Sequence, residues 1–270
     1  MAVESRMIDI GGVATHVTHA GDGVPVLLLH GSGPGVSAAA NWRLAIPALS
    51  ERFRVIAPDQ LGFGLTGPPA DGVYSMQAWV AHVVAVLDEL GIERAHVVGN
   101  SFGGAVALHL AVHHPERVNR LALMGAVGLS FPISDGLDAV WGYEPSVAEM
   151  HRLLEIFTYE PSPQIDELAV LRYEASIVPE VQEQFSAMFP APRQRWVDAM
   201  ALPEDRVAAI EHETLILHGR EDRVIPLDVS LRLHHLIPRS QLHVFGQCGH
   251  WTQVEHPDRF HRLVADFFAE

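Results

Sequence analysis

The sequence predicts an α/β fold, a mostly parallel β-sheet flanked by helices, on two observations. Short, almost continuously apolar runs recur along the chain, as in strands that are buried on both faces of a parallel sheet. Segments with helical periodicity separate these runs, which is the alternation of a doubly wound sheet. The length of 270 residues and the apolar fraction of 48% suit one large domain, with room for an insertion.

The strand and helix candidates follow in order. The clearest strands are PVLLLH (25–30), RVIAP (54–58), HVVGN (96–100), LALMGA (121–126), TLILHG (214–219) and LHVF (242–245). The first long helix has Ser75 as its candidate N-cap and stops at Gly91. A second helix starts at Phe102 and ends before Pro115, and a third closes the chain.

The alternation breaks between residues 129 and 202, where amphipathic helical patterns such as 146–157 and 166–177 replace the strands. We expect a helical lid here, inserted after the sixth strand into a core formed by 1–128 and 203–270. Such a lid would cover the carboxyl ends of the strands, where open α/β sheets bind ligands. The alternative is a surface excursion without a role in binding.

Composition limits the partners. Lys and Arg total 18 and Asp and Glu total 33, so the formal charge is 18 − 33 = −15. This argues against nucleic acid or an anionic membrane, although one buried arginine could still bind a small anion. Cys248 is the only cysteine, so no internal disulfide can form, and without a recognisable signal peptide we expect a cytoplasmic protein.

No cofactor or metal is expected. The segment GSGPG (31–35) resembles a phosphate-binding loop but lacks the Gly-Lys-Ser/Thr ending, and no compact metal-ligand motif is present. No apolar run is long enough to predict a membrane span.

A serine between glycines marks the end of one predicted strand. Gly99-Asn100-Ser101-Phe102-Gly103 matches G-x-S-x-G, with a buried strand before it and an apolar helix after it. This context is typical of a nucleophile elbow, a sharp turn that holds the serine side chain at the sheet edge beside a helix N-terminus. The pattern therefore predicts Ser101 as a nucleophile.

A serine hydroxyl needs a positioned base, and in this arrangement the partners follow in the order Ser, Asp or Glu, His. Asp222 follows the strand 214–219, and His250 follows the last strand in the context Gly-His-Trp. Glu221 competes with Asp222 as the acid, and His218 is interpreted as a packing residue within its strand. We predict a triad of Ser101, Asp222 and His250.

The oxyanion formed in such a reaction also needs donors. The loop HGSGPG (30–35) follows an early buried strand, and its glycines let backbone N–H groups turn inward. Enzymes with this elbow use the N–H after the nucleophile and one from the early loop. Here these are the N–H groups of Phe102 and Ser32.

Five segments together resemble one enzyme family. HGSGPGVSAAANWR (30–43), GNSFGG (99–104), LRYEAS (171–176), HGREDRVIPL (218–227) and CGHW (248–251) are similar to segments of the meta-cleavage-product hydrolases, within the α/β-hydrolase superfamily. These enzymes hydrolyse carbon–carbon bonds in bacterial aromatic degradation. The forms seen here most resemble members for monocyclic products, 2-hydroxymuconic semialdehyde and its 6-alkyl relatives. Members for biphenyl-derived phenyl ketones are the alternative.

The resemblance implies roles for three polar residues. Asn41, Asn100 and Arg172 would bind the 2-hydroxy-dienoate end of the substrate, for which an arginine fork and amide donors are suited. It also favours Asp222 over Glu221, because the family carries aspartate at the second of the two acidic positions. The alternatives are that Arg172 pairs with an acidic residue of its own helix and that Asn41 caps the following helix.

The resemblance also implies roles for several apolar residues. Trp251 would pack against the dienoate, the alternative being an ordinary core tryptophan. A distal pocket for the C6 substituent would be lined by Val127, Trp141, Val197 and Ile225, all of which could equally be core residues. The resemblance further implies a homodimer or larger homo-oligomer.

The implied reaction has two stages. The dienol substrate is converted to its keto tautomer, and the C5–C6 bond is then hydrolysed to 2-hydroxypenta-2,4-dienoate and a carboxylic acid. Direct attack by Ser101 is favoured, and activation of water to a gem-diol stays open. A carboxylesterase with the same triad is the nearest rival, and a ligand-binding receptor on this fold is a rival of another class.

Overall fold

A computed structural model of the chain describes residues 2–160 and 163–270, with the backbone alone for 163–165. The strands are β1 (Glu4–Ile10), β2 (Val13–Ala20), β3 (Pro25–Leu29), β4 (Arg54–Pro58), β5 (Ala95–Asn100), β6 (Val118–Met124), β7 (Thr214–Gly219) and β8 (Ser240–Phe245). The helices up to the insertion are α1 (Ala38–Asn41), α2 (Ala45–Leu49), α3 (Met76–Glu89) and α4 (Phe102–His113). The later helices are α5 (Asp135–Trp141), α6 (Val147–Phe157), α7 (Pro163–Ser176), α8 (Pro179–Met188), α9 (Gln194–Met200), α10 (Glu204–Ala208), α11 (Leu227–Leu236), α12 (Thr252–Glu255) and α13 (Pro257–Ala269).

The strands form one eight-stranded sheet in the order β1-β2-β4-β3-β5-β6-β7-β8. Neighbouring strands run parallel from β4 through β8, whereas β1 with β2 and β2 with β4 pair antiparallel. The predicted α/β sheet is therefore confirmed. The carboxyl ends of β5, β7 and β8 lie at the same edge of the sheet, because parallel strands end together.

Alternate residues of the parallel strands feed two separate cores. On β3, Val26 and Leu28 belong to a cluster with α1, α2 and α13, while Leu27 and Leu29 belong to the cluster with α3, α4 and α11. Both faces of the central strands are thus buried, which explains their continuous apolar runs. Ser75 caps α3 as expected, its Oγ accepting the N–H of Ala78 at 3.2 Å.

The N-terminal hairpin of β1 and β2 was missed by the sequence analysis. Most of β1 is exposed, and its sequence ESRMIDI is partly charged, so it lacks the apolar run by which the other strands were recognised. An antiparallel strand at a sheet edge can keep one or both faces in water.

Helices α5 to α9 lie between β6 and β7 in the chain, within the predicted insertion 129–202. Residues 161 and 162 of that insertion lie outside the described residues. Apolar side chains of these helices join the larger core cluster, among them Leu137, Leu154 and Val197. The insertion is therefore packed on the α/β core. None of the described helices has the length and apolar character needed to cross a bilayer.

Candidate active site

Ser101 occupies the turn between β5 and α4 in a strained backbone conformation. Its φ of 54° and ψ of −115° lie outside the regions that L-residues favour. The glycines around it are needed for close approach: a Cβ on Gly103 would overlap the carbonyl oxygen of Leu29, and one on Gly99 would meet the Gly103 carbonyl oxygen at 2.5 Å. The left-handed residue of the elbow is thus the serine itself, with the glycines packed against neighbouring backbone.

Asp222 and His250 are hydrogen-bonded to each other. Asp222 Oδ2 accepts from His250 Nδ1 at 2.7 Å, and both side chains are almost fully buried. Asp222 Oδ1 accepts the backbone N–H groups of Val224 and Ile225 at 2.7 and 2.9 Å. Burial opposes ionisation of Asp222, but the attraction and hydrogen bond of His250 outweigh it, so the pKa of Asp222 is lowered. The pair is suited to holding an anionic aspartate against a histidine.

The competing acid, Glu221, lies elsewhere. Its carboxylate accepts from Arg220 Nε at 2.7 Å and from the backbone N–H of Cys248 at 3.0 Å. These bonds lower the pKa of Glu221, the Cys248 N–H having the largest effect. It is Asp222 that contacts the histidine. The described residues include no hydrogen bond between the hydroxyl of Ser101 and His250, a contact that in unliganded enzymes is often long.

The early loop approaches the elbow, as expected for an oxyanion hole. Ser32 is buried, and its Oγ accepts from Trp141 Nε1 of α5 at 2.9 Å. Behind it, Gln60 N–H donates to His30 Nε2 at 2.9 Å, so the remaining ring proton of His30 is on Nδ1 and donates to the Gly31 carbonyl at 2.7 Å. The hydrogen bonds of Ser32 to Trp141 and of His30 to Gln60 thereby fix the loop that carries the predicted oxyanion donor.

A small cavity of about 20 Å³ joins these elements. It is lined by Gly31, Ser32, Gly33, Val36, Asn41, Asn100, Ser101, Leu137, Val140, Phe157, Arg172, Val224, His250 and Trp251. The structure thus brings together the nucleophile, the histidine and all four residues predicted to bind the dienoate. Phe102, the other predicted oxyanion donor, is the first residue of α4 and is fully buried.

Arg172 is buried in this cavity without a carboxylate partner among the described residues. One Nη donates to the Pro34 carbonyl at 2.9 Å, the guanidinium lies 5.4 Å from the ring centre of Trp251, and its Nε has no partner. Burial, with a smaller repulsion from Arg43, lowers the pKa of Arg172 to about 10, so the group is still a cation at neutral pH. The alternative pairing with an acid of its own helix is absent from the described ion pairs.

The two asparagines face the same space. Asn41 is the last residue of α1, and it does not cap the following helix, because the N-cap of that helix is Leu44. Its buried Nδ2 has no hydrogen-bond partner among the described residues. Asn100 ends β5, and its Nδ2 makes only a long bond of 3.4 Å to the Met124 carbonyl. The cavity that holds Arg172 is therefore also lined by one uncommitted amide donor, Asn41 Nδ2, and one weakly bonded donor, Asn100 Nδ2.

Aromatic rings close one side of the cavity. Trp251 stacks on Phe157, the last residue of α6, with ring centres 4.6 Å apart, and Phe157 also lies 5.9 Å from the ring of His250. Phe157 was not predicted, because nothing local in the sequence shows which face of α6 meets the histidine loop. A flat apolar slot of this kind suits a planar conjugated chain.

The four residues predicted for the distal pocket are buried but do not line the triad cavity. The residues proposed for this pocket are Val127, Trp141, Val197 and Ile225. They do not appear in the lining of the triad cavity, where Leu137, Val140 and Val224 supply the aliphatic surface instead. The distal pocket stays a prediction.

Glu255 and Gly125 support the histidine and were also missed. Glu255 accepts the backbone N–H groups of Gly249 and Tyr159 at 2.7 and 2.6 Å, which joins the loop of His250 to the end of α6. A Cβ on Gly125 would lie 3.1 Å from the ring of His250 and 3.2 Å from Asp222 Oδ2. The five-residue spacing between His250 and Glu255, across the start of α12, was the available signal for Glu255.

The chain is similar to known hydrolases in sequence and in structure. Residues 24–257 match the sequence model of the alpha/beta hydrolase fold family. The chain is 60% identical to 2-hydroxymuconate semialdehyde hydrolase of Pseudomonas sp. (strain CF600), over 98% of this chain and 94% of that protein. It is 58% identical to 2-hydroxy-6-oxo-2,4-heptadienoate hydrolase of Pseudomonas putida (strain F1), over 98% and 96%. The solved structure of a meta-cleavage product hydrolase (CumD) from Pseudomonas fluorescens IP01, in complex with acetates, superposes with a TM-score of 0.96 at 57% identity, over 98% of this chain and 97% of that chain.

Proposed function

The chain belongs to the alpha/beta hydrolase fold family and, within it, to the meta-cleavage product hydrolases, and we propose that it hydrolyses the C5–C6 bond of 2-hydroxy-6-oxo-hexa-2,4-dienoates. The substituent on C6 is a hydrogen or a small alkyl group, as the names of the two relatives suggest. The products are 2-hydroxypenta-2,4-dienoate and a small carboxylic acid. The enzyme acts in the breakdown of aromatic compounds.

The observation that carries this proposal is the buried guanidinium of Arg172. A buried cation is costly unless a counter-charge accompanies it, and the described residues supply none. A substrate carboxylate would compensate the charge, and the unpartnered amide of Asn41 would add a further donor. A simple neutral ester has no negative charge for this cation to bind. The buried arginine therefore favours a dienoate hydrolase over a carboxylesterase.

The first stage is tautomerisation. With its carboxylate on Arg172 and its C2 oxygen near Asn41 and Asn100, the dienol loses the proton of its 2-hydroxyl group, and a proton is added at C5. His250 lines the cavity and is the group suited to move that proton. C2 becomes a ketone, and C5 becomes a saturated carbon next to the C6 carbonyl. The C5–C6 bond is now activated, because the electrons released on its cleavage can move to the C2 ketone.

The second stage is nucleophilic cleavage. Ser101 attacks C6 while His250 accepts its proton, and the C6 oxygen is held by the N–H groups of Ser32 and Phe102. The C5–C6 bond breaks, its electron pair passes to the C2 oxygen, and the protonated dienol product leaves. Water then hydrolyses the acyl group on Ser101, with His250 as the base. The anionic Asp222 stabilises the histidine while it carries a proton.

The insertion 129–202 is proposed to act as the lid of this site. Its Trp141 donates to the oxyanion loop, its Arg172 binds the carbonyl of Pro34, and the Phe157 carbonyl accepts the N–H of His250 at 2.8 Å. Opening it would expose the cavity, and closing it would exclude water from the carbonyl.

We further infer a homo-oligomer, by analogy with the family, and a cytoplasmic location, from the cysteine content. The single buried cysteine, Cys248, is compatible with a reducing compartment. Light scattering on the purified protein would establish the oligomeric state, and a mass of one 29.6 kDa chain would contradict the first inference.

The experiment that tests the function uses the yellow ring-cleavage products of catechol, 3-methylcatechol and 2,3-dihydroxybiphenyl. We expect the wild type to bleach the first two rapidly and the third more slowly. Ser101→Ala should bleach none of them, and Ser130→Ala, a change at an exposed serine outside the cavity, should behave as the wild type.

Two results would change the conclusion. Preference for the biphenyl-derived product would assign the enzyme to the phenyl ketones. Hydrolysis of p-nitrophenyl esters without bleaching of any dienoate would establish the esterase and overturn the roles of Asn41, Asn100 and Arg172.

A further inference from the structure

A second histidine also approaches the aspartate. His218 lies on β7 and is fully buried, and its Nε2 is 3.4 Å from Asp222 Oδ2. This is the same oxygen that accepts from His250 Nδ1 at 2.7 Å. The sequence analysis interpreted His218 as a packing residue, but an apolar side chain would fill the same space without placing a polar atom here.

The hydrogen bonds of His218 establish its tautomer. Nε2 lies 3.0 Å from the carbonyl oxygen of Ile225, which can only accept, so Nε2 carries the hydrogen. Nδ1 therefore accepts, and its partner at 2.7 Å is the hydroxyl of Ser230 on α11. Burial lowers the pKa of His218, so the ring is neutral. Both ring nitrogens are thus bonded without a second proton.

The turn after β7 is closed by this histidine. Ile225 donates its N–H to Asp222 Oδ1 at 2.9 Å and accepts the Nε2–H of His218 at its carbonyl oxygen. The peptide groups of Ile225 therefore connect the two side chains. The rotation of the carboxylate, and with it the direction in which Oδ2 faces His250, depends on where His218 holds this turn.

We propose that His218 is a positioning residue of the triad, which orients the Asp222 carboxylate by holding the Ile225 carbonyl and keeps its Nε2 edge 3.4 Å from Oδ2. The inference rests on the proposed serine-hydrolase function, and it assigns His218 no contact with substrate. The charged and titratable groups that face it are Asp222 and His250. The partial positive charge of this N–H group, whose nitrogen is 3.4 Å from Oδ2, stabilises the negative charge there. The aspartate therefore holds the proton of the His250 Nδ1–H less strongly than it otherwise would.

The test replaces the donor without emptying the site. His218→Leu and His218→Met remove the Nε2–H and keep apolar bulk, whereas His218→Gln can return an amide N–H to the same place. His96→Leu is the matched control, because His96 is a buried histidine of β5 remote from the triad. Each variant is first compared with the wild type in thermal unfolding.

Two rates are then followed against pH from 5 to 9. One is kcat/KM for a dienoate. The other is the rate at which a fluorophosphonate labels Ser101, where an O–P bond forms, fluoride leaves and the triad accepts the serine proton. Labelling needs no dienoate binding, so a wild type that is labelled but cleaves no dienoate would refute the proposed function and leave this test intact. The downfield proton resonance of the His250–Asp222 hydrogen bond gives an independent signal.

For the leucine and methionine variants we expect both rates to fall about tenfold, the effect of one neutral hydrogen bond. The acid limb of both profiles should move upward by about half a pH unit, and the downfield resonance should shift. His218→Gln should restore both rates, the position of the acid limb and the downfield resonance. His96→Leu should change none of the three. A folded Leu or Met variant with wild-type rates and an unmoved acid limb would overturn the proposal. Equal losses in the Gln variant would overturn it as well.

Discussion

The two ends of the cavity differ in how completely their polar atoms are bonded. At the catalytic end, formed by Ser101, Asp222 and His250, the aspartate accepts two backbone N–H groups and one imidazole N–H, with His218 close by. At the cationic end, formed by Asn41, Arg172 and Trp251, the Asn41 amide and the Arg172 Nε have no partner in the described part of the chain. The aspartate–histidine pair of the first end is fully bonded without a ligand, whereas the second end is complete only with an anion.

This difference separates preorganisation from recognition. The catalytic end is carried by turns at strand ends, whose positions are set by the sheet, so its geometry exists before substrate arrives. The cationic end joins the early core loop to the helical insertion, and it keeps a desolvated positive charge. Changes at the catalytic end should therefore reduce turnover, and changes at the cationic end should reduce binding of the dienoate.

The largest effect is expected for Asp222→Asn, at the catalytic end. The amide keeps the shape but presents a donor to His250 Nδ1, which disfavours the catalytic tautomer, and kcat should fall about 10⁴-fold. Steady-state kinetics on the 3-methylcatechol product would measure this, with Asp228→Asn, an exposed acid on α11, as the control. A loss below tenfold would show that Asp222 is not the acid of the triad.

The same variant tests the pH dependence of stability. The pKa of Asp222 is lowered on folding, so its ionised form stabilises the native state above the unfolded pKa, and this contribution is lost as pH falls through the folded pKa. The Tm of the wild type should therefore drop more steeply below pH 4 than that of Asp222→Asn. Parallel Tm curves would contradict the lowered pKa.

Arg172→Met, at the cationic end, should lower kcat/KM for dienoates about 10²-fold, the worth of a charge-assisted hydrogen bond to a carboxylate. Because the buried guanidinium has no carboxylate partner in the free protein, Tm should stay unchanged or rise. Arg152→Met removes an exposed arginine of α6 and serves as the control. A large fall in Tm would instead assign Arg172 a structural role through Pro34 and Trp251.

The two ends also differ in what sequence reasoning could reach. Ser101, Asp222 and His250 each follow an apolar strand within a few residues, so local patterns and the order of the fold were enough to select them. Arg172 lies on α7, where the amphipathic pattern expected over 166–177 was wrong, because the apolar residues of this helix show no single clear face. Only the resemblance to known enzymes singled Arg172 out. Which side of a helix meets the core is a tertiary property that periodicity alone does not supply here.

His218 shows the same limit inside the sheet. Every residue of β7 is buried, so the strand lacks the alternation that would reveal the neighbours of one side chain. Its partners Ile225 and Ser230 come from the following turn and helix. The hairpin of β1 and β2 escaped for the opposite reason, since β1 is mostly exposed and the buried residues of β2 are interrupted by polar ones rather than forming an apolar run.

Glu255→Gln should have an intermediate effect, since Glu255 joins the catalytic end to the insertion. Glutamine offers one acceptor for the two N–H groups of Gly249 and Tyr159, so one donor is left unbonded. We expect a loss of about 1–3 kcal/mol in the free energy of unfolding. We also expect kcat to fall about tenfold with little change in KM, as the loop of His250 loosens. Glu160→Gln, at an exposed neighbouring acid, is the control. An unchanged kcat in Glu255→Gln would show that the bonds of Glu255 to Gly249 and Tyr159 do not support catalysis.

The smallest effects are expected among the aliphatic residues, and they decide where the C6 substituent lies. Val140 lines the observed cavity, whereas Val127 was predicted from resemblance and is buried outside that lining. A pocket methylene is worth about 1–3 kcal/mol in selectivity, so Val→Ala at the true site should change the ratio of kcat/KM between methyl, isopropyl and phenyl ketones at least severalfold.

A change at Val140 alone would place the substituent against α5. A change at Val127 alone would mean that the insertion moves when substrate binds, opening a pocket beyond the cavity seen here. Unchanged ratios in both variants would remove both positions from the specificity pocket.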